Sequence, residues 1–377
     1  MKVVHISNTP VAGSPGNIVS ALNRLTDVQA RHIVFNSSAY RNRTFAIDID
    51  WKVQQQQALD VIADADVIHV HQFFSFDETF GPNFYQRFGK KKIIKQYHSA
   101  PDLWAKGDSG VIQRIVYEDV PQLVIAQGPE RYYPFARVVP NVVPLNDPRY
   151  LPGPESRSNP DDIPIVTFSP SGRSSAWKTR WETKGVPQTL KLLRKLERKG
   201  LCKLQLIVDT PHDACLRAKQ QAAIAIDECV TGNYHLSGLE ALSQGKPTLG
   251  HLDNRVQSQL RAMTGALELP WIDVRLEEAE GPLRELLWDR ALRAELGAAS
   301  RQWMETYYQE AAMVEHYRRA YVDLFEAPYC FHVRRFVGHS EPWLAVALPN
   351  HRWAARKRAN SPWRTLIETV RGRGRAD

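Results

Sequence analysis

Residues Thr231–Gly250 read TGNYHLSGLEALSQGKPTLG. Gly232 to His235 suit a turn, and Ser237 stands near the start of a helix. Gly238 permits close backbone approach, and Glu240 lies about one turn in. Gly245-Lys246-Pro247 ends that helix sharply, and Thr248–Leu249 begins a strand. A helix start with free backbone N–H groups is a ready anion site. A carboxylate on the next turn can accept hydrogen bonds from paired sugar hydroxyls. The same residues also suit an ordinary capped helix packed on a sheet, so the segment is read in its surroundings.

Working outward, strands and helices alternate on both sides. Upstream of the turn, Lys203–Val208 and Ala222–Ile226 read as strands and His212–Gln221 as a helix. Ile165–Phe168 is another strand. Pro187–Lys199 is a helix closed by Gly200, with Leu190, Leu193 and Leu196 inward. The first half repeats the pattern. Lys2–Ile6, Arg31–Phe35, Val67–Val70, Ile93–Tyr97 and Leu123–Ala126 are short apolar strands. After the first of them, Asn17 is a candidate cap for a helix carrying Ile18, Ala21, Leu22 and Leu25. Such alternation argues for parallel sheets with crossovers. Between the halves, seven prolines fall from Pro140 to Pro164, which marks a linker. Long helical stretches follow, roughly 276–299 and 300–325. Two α/β halves imply a cleft, and ligands of open α/β sheets bind outside the carboxyl ends of the strands.

Composition narrows the classes. A chain of 377 residues suggests two domains. The net charge of +8 is unevenly placed, because residues 331–377 hold ten Lys/Arg against three acids. The body is therefore nearly neutral, which argues against a nucleic-acid partner. Met1–Thr9 has an apolar run too short for a signal-peptide core, and no apolar stretch approaches a bilayer span. The four cysteines have no metal-ligand or redox spacing. A cytoplasmic protein is expected.

The Leu239–Pro247 run, LEALSQGKP, resembles the donor-site segment of GT-B glycosyltransferases, especially the retaining family 4 (group 1) enzymes. Ala223–Glu228, AIAIDE, resembles the strand leading into that site, and together the matches cover about 30 residues. The resemblance implies an α/β GT-B fold: two Rossmann-like domains facing each other across a cleft, with a C-terminal helical and basic extension. The expected division is an acceptor domain over 1–147, a Pro-rich linker over 148–163 and a donor domain over 164–299. Helices over 300–330 would cross back to the first domain, and 331–377 would form a basic, Trp-containing tail.

The resemblance also implies roles. Glu240 would hold the donor ribose, and Ser237, Gly238 and Leu239 would face the donor diphosphate. Arg173 and Lys184 match the family's two phosphate-binding cations, which offset charge on the leaving group; Lys178 and Arg180 compete for the same roles. Gly232, Asn233, Tyr234 and His235 would border the donor sugar. The family's motif has two glutamates, and the first falls on Gly232, which has no side chain. Glu228 is a candidate substitute, or else a solvated strand-end residue. Gly13, Ser14 and Gly16 would form a loop facing acceptor and phosphate; they lack the three-glycine turn of a dinucleotide site. His98, at a strand end in QYHSAP, would point at the transferred sugar, and with Glu240 forms the candidate catalytic pair. His69 and His71 read mostly as sheet residues.

The implied activity is transfer of a sugar from a nucleotide-diphosphate donor to a glycan or glycolipid hydroxyl, with retention, in surface polysaccharide or lipopolysaccharide assembly. A GT-B sugar-nucleotide epimerase and a non-catalytic glycosyltransferase-like binding protein are the alternatives. No cofactor or metal is expected: Asp48-Ile49-Asp50 and Asp64-Ala65-Asp66 match the D-x-D pattern, which arises easily by chance. The basic tail, with Trp343, Trp353 and Trp363, suits an anionic membrane surface near a lipid-linked acceptor, peripheral on the inner face. Its rival is a tail packed back on the first domain. Glu240→Ala and Arg173→Ala are expected to weaken donor use without unfolding the protein.

Overall fold

The computed structural model describes residues 1–40, 45–72, 88–101, 108–153, 163–170 and 184–335. Arg173, Lys178, Arg180 and the tail from 336 onward, with its three tryptophans, lie outside the described residues.

The first half runs β1 (Lys2–Ser7), α1 (Ser14–Leu25), β2 (Gln29–Val34), β3 (Ile49–Asp50), α2 (Gln55–Asp64), β4 (Val67–His71), β5 (Lys92–Tyr97), α3 (Ser109–Val116), β6 (Gln122–Ile125) and β7 (Arg137–Val139). Its strands form one sheet in the order β3-β2-β1-β4-β5-β6-β7, and every pairing is parallel. Parallel strands covered on both faces read as near-continuous apolar runs; β1 and β4 do so except at the buried His5, Ser7, His69 and His71. One face packs Val4, Ile6, Ile68 and Val70 against Ala58 and Ile62 of α2. The other packs Val3 and Val67 against Ile18 and Leu22 of α1.

Asn17 does not cap α1. That helix begins at Ser14, after Gly13 at φ +82° and with Pro15 in its first turn, while Asn17 donates to the Val142 carbonyl. The two D-x-D motifs are structural. Asp48 accepts from Arg31 and from the His32 amide, and Asp50 from the Lys52 amide. Asp64 and Asp66 both accept from Lys2.

The second half runs β8 (Ile165–Phe168), α4 (Val186–Arg198), β9 (Lys203–Leu206), α5 (His212–Gln220), β10 (Ile224–Ile226), α6 (Leu236–Ser243), β11 (Thr248–Gly250), α7 (Asn254–Thr264) and β12 (Ile272–Asp273). These strands form a parallel sheet in the order β12-β11-β10-β8-β9. Leu190, Leu193 and Leu196 of α4 bury against Val166, Phe168 and Ile224. Each such side chain stabilises the fold by about 1.5–3 kcal/mol.

The C-terminal stretch is three helices rather than the expected two: α8 (Glu280–Trp288), α9 (Arg290–Tyr307) and α10 (Glu310–Glu326). Asp289 breaks the first stretch by capping α9, its carboxylate accepting from the Leu292 amide. α9 lies on the second half, where the Arg301 guanidinium donates to the Ser243 carbonyl, and it also donates to the carbonyls of Leu145 and Tyr150 in the segment before β8. α10 lies on the first half. Tyr317 donates to the Pro140 carbonyl at 2.6 Å and Arg318 pairs with Asp27. Residues 331–335 follow it there: the Arg335 guanidinium donates to the carbonyls of Glu130, Tyr133 and Ala136. Among the described residues no helix is long and apolar enough to cross a membrane.

Candidate functional site

A cavity of about 350 Å³ opens between the two halves. Ser14, His98, Gln127 and Asn141 line it from the first half, and Lys184, His212, Lys219, His235, Ser237 and Glu240 from the second. Of the residues singled out in the sequence, Ser14, His98, Lys184, His235, Ser237 and Glu240 therefore meet in one place.

Glu240 sits in α6 and is 4% exposed. Its Oε1 lies 3.1 Å from His212 Nε2, and its Oε2 accepts from Lys219 Nζ. Burial raises the carboxyl pKa, but the Lys219 charge and the His212 hydrogen bond outweigh it and bring it down to about 2. A carboxylate has about four lone-pair sites, so two remain for a diol. His212 and Lys219 were missed in the sequence. Their seven-residue separation on one predicted helix places them two turns apart on one face, and that was the available signal.

Asp227 was also missed as a site residue, although it closes the AIAID strand. It follows β10 directly and is 1% exposed. Its Oδ1 accepts from Lys184 Nζ at 3.0 Å and from Ser237 Oγ at 3.1 Å, and its Oδ2 from the His235 amide at 2.9 Å. Burial raises its pKa; Lys184 and His235 more than reverse that and hold it well below the usual carboxylate range. The start of α6 thus already holds an anion from its own chain. A Cβ on Gly238 would stand 2.3 Å from Asp227 Oδ2, so the close approach that Gly238 permits is to Asp227. The amides of Gly238 and Leu239 both bond the His235 carbonyl and are not free donors for a diphosphate. Leu239 is itself a fully buried core residue.

Other expectations shift. Glu228 is neither solvated nor a cavity residue: its carboxylate accepts from the Val230 and Thr231 amides and the Thr231 hydroxyl, holding the turn. Gly232 has φ +78°, and a Cβ there would lie 2.8 Å from Asp253 Cβ, so the backbone leaves no room for the family's glutamate. Tyr234 is fully buried beside Trp271. Asn233 bonds Arg131 and Thr231 and ties the turn to the first half. Gly13 and Gly16 are not among the residues that line the cavity, and a Cβ on Gly13 would lie 3.0 Å from the Phe45 ring.

His98 follows β5. Its Nε2 lies 3.0 Å from His71 Nδ1, and burial pushes its pKa down to about 3. His69 and His71 are sheet residues, fully buried.

No protein-family model and no curated protein matches the sequence. Solved structures do match. HepE of Anabaena, in complex with UDP and glucose, is 11% identical at TM-score 0.55, over 86% of this chain and 100% of that one. Sucrose-phosphate synthase of Thermosynechococcus elongatus is 14% identical at TM-score 0.52, over 87% and 100%. A glycosyltransferase of Rickettsia africae is 10% identical at TM-score 0.52, over 86% and 99%. With two parallel α/β sheets across one cleft and helix α10 returned to the first half, the chain has the GT-B glycosyltransferase fold.

Proposed function

We propose that the protein is a glycosyltransferase that moves a sugar from a nucleotide-diphosphate donor to a hydroxyl of a glycan or glycolipid. The observation that carries this is Glu240: an ionised carboxylate, fixed by Lys219 and His212, facing the cavity between two sheets. A ribose presents two adjacent hydroxyl donors, and a rigid carboxylate accepts both without reorganising. Retention and a role in surface polysaccharide or lipopolysaccharide assembly are part of the reading. So is a uridine donor, the nucleotide HepE carries. In this reading Arg173 serves the leaving diphosphate together with Lys184, which also pairs with Asp227, and Lys178 and Arg180 compete for the same role. Metal is not required by this reading. A panel of nucleotide sugars, each incubated with and without glycan acceptors, tests it: acceptor-dependent release of one nucleoside diphosphate supports transfer, whereas epimerised donor without acceptor supports an epimerase instead.

A second reading has a specific basis. With no side chain at Gly232 and with Asp227 filling the helix start, a nucleotide-sugar-binding protein without turnover also fits. Donor binding by calorimetry with no product over the acceptor panel would favour it.

The location proposed is the cytoplasmic face of a membrane, with the tail against anionic lipid. Arg335 is engaged by carbonyls of the first half, so the contact falls to the basic residues beyond it. Cosedimentation with anionic vesicles, with and without residues 336–377, tests this; equal binding by both forms would contradict it.

A further inference from the structure

His5 on β1 and His69 and His71 on β4 stand side by side, all fully buried. They belong to a hydrogen-bonded row that starts at the cavity and ends at His69. His98 Nε2 meets His71 Nδ1 at 3.0 Å, and His71 Nε2 meets His5 Nδ1 at 2.9 Å. His5 Nε2 meets the Tyr321 hydroxyl at 3.2 Å, and that hydroxyl meets His69 Nδ1 at 2.8 Å. The Gln96 side chain lies beside the His69 ring, with no hydrogen bond formed between them. Gln96 Nε2 donates to the Tyr317 hydroxyl at 3.2 Å, which donates to the Pro140 carbonyl at 2.6 Å.

Burial keeps these imidazoles neutral, with all four pKa values far below the usual histidine range. A neutral imidazole has one donor and one acceptor nitrogen, so the row can run in only two directions. Its far end selects one. A carbonyl only accepts, so Tyr317 spends its single proton on Pro140. Gln96 must then meet Tyr317 through its NH2 group, which leaves Oε1 for His69. Among the described residues Gln96 Oε1 and His69 Nε2 are both buried and both lack a hydrogen-bond partner, although the two side chains lie close enough to interact. The two atoms complement each other only if His69 Nε2 carries the proton. His69 Nδ1 then accepts from Tyr321, Tyr321 from His5 Nε2–H, His5 Nδ1 from His71 Nε2–H, and His71 Nδ1 from His98 Nε2–H.

We propose that this row fixes His98 in the Nε2–H tautomer, so that His98 offers its Nδ1 lone pair to the cavity as an acceptor for a ligand hydroxyl. His71, His5 and Tyr321 are its positioning residues. A metal is the competing use of the cluster, since ligand atoms of His5, His69 and His71 lie within 4.8 Å of one another. The nitrogens that face each other, His71 Nε2 and His5 Nδ1, are however already engaged in a hydrogen bond at 2.9 Å, and His69 Nδ1 in one with the Tyr321 hydroxyl at 2.8 Å. A metal would displace these bonds.

The proposal rests on the cleft being the ligand site, but its test needs no ligand, so its failure is distinct from failure of the transferase reading. Long-range 1H–15N correlation on the full chain, labelled at histidine, reads each tautomer; His98→Asn assigns the His98 signals. The wild type is expected to show protonated Nε2 and bare Nδ1 at His98, His71, His5 and His69. In Tyr321→Phe, His5 Nε2–H loses its acceptor, and a buried unpaired N–H is less tolerable than an unpaired lone pair. His5, His71 and His98 should therefore shift to the Nδ1–H form while His69, beside Gln96, does not. Protonated Nδ1 at His98 in the wild type overturns the proposal. So does an unchanged His98 in a folded Tyr321→Phe. If that variant does not fold, Gln96→Met removes the anchor and should bring Nδ1–H signal to His98; its absence is equally contrary.

Discussion

Lys184 Nζ lies 3.0 Å from Asp227 Oδ1, and both side chains are buried at the start of the helix that carries Glu240. The lysine that the resemblance assigns to donor phosphate is thus already paired. Breaking a buried pair from one side costs about 3–5 kcal/mol, because the remaining charge stays buried and unpaired. Lys184→Met should lose stability of that order in urea unfolding, and Lys184→Met with Asp227→Asn should recover most of it. Equal losses in the single and double variants would contradict the pairing.

Gly232 cannot be returned to the family's glutamate. Its φ of +78° and the 2.8 Å approach of a Cβ to Asp253 make Gly232→Glu strained by about 1–3 kcal/mol. Thermal unfolding checks this, and an unchanged midpoint would show that the turn can adapt.

Acid should destabilise the fold well before its carboxylates protonate. His69 and His98 have pKa values near 3 in the folded state and His32 near 4, against an ordinary 6.5. Folded values below unfolded ones mean the unfolded chain takes up protons first. Stability therefore falls as pH drops below 6.5 and goes on falling towards 3–4, by up to about 1.4 kcal/mol per pH unit for each independent histidine. Glu240, lowered from 4.5 to about 2, contributes stability above pH 4.5 that is lost between 4.5 and 2, in the same direction. Urea midpoints from pH 7 to 4 measure this; a flat profile would mean that the histidines are hydrated.

Much of this was legible along the chain. The alternation of short apolar strands and helices gave both sheets, and LEALSQGKP placed Glu240 correctly on its helix. β3 and β7, of two and three residues, are too short to show periodicity. Asn17 reads as a cap locally, but its partner is the Val142 carbonyl, far along the chain. The site's charge pairing was hidden for the same reason. Lys219 and His212 meet Glu240, and Lys184 meets Asp227, only once helices and strands have packed. His69 and His71 show as an alternating pair, while Tyr321, which bonds the row, comes from α10.

The Glu240–Lys219 pair changes what the simplest mutation reports. Glu240→Ala leaves Lys219 buried and unpaired, so it should lose about 3–5 kcal/mol as well as any ligand binding. The expectation that it would spare the fold is therefore revised. Glu240→Leu with Lys219→Met removes both charges and should come within about 1–2 kcal/mol of the wild type in urea unfolding. A double variant as unstable as Glu240→Ala would contradict this.

That double variant gives the most direct test of the cleft as a nucleotide-sugar site. The measurement is calorimetric titration of UDP and UDP-glucose, with the other nucleoside diphosphates as a panel, into the wild type and into Glu240→Leu with Lys219→Met. The account predicts that at least one nucleotide binds the wild type and that the folded double variant loses it by tenfold or more. No binding by any nucleotide, or equal binding by both proteins, would contradict it.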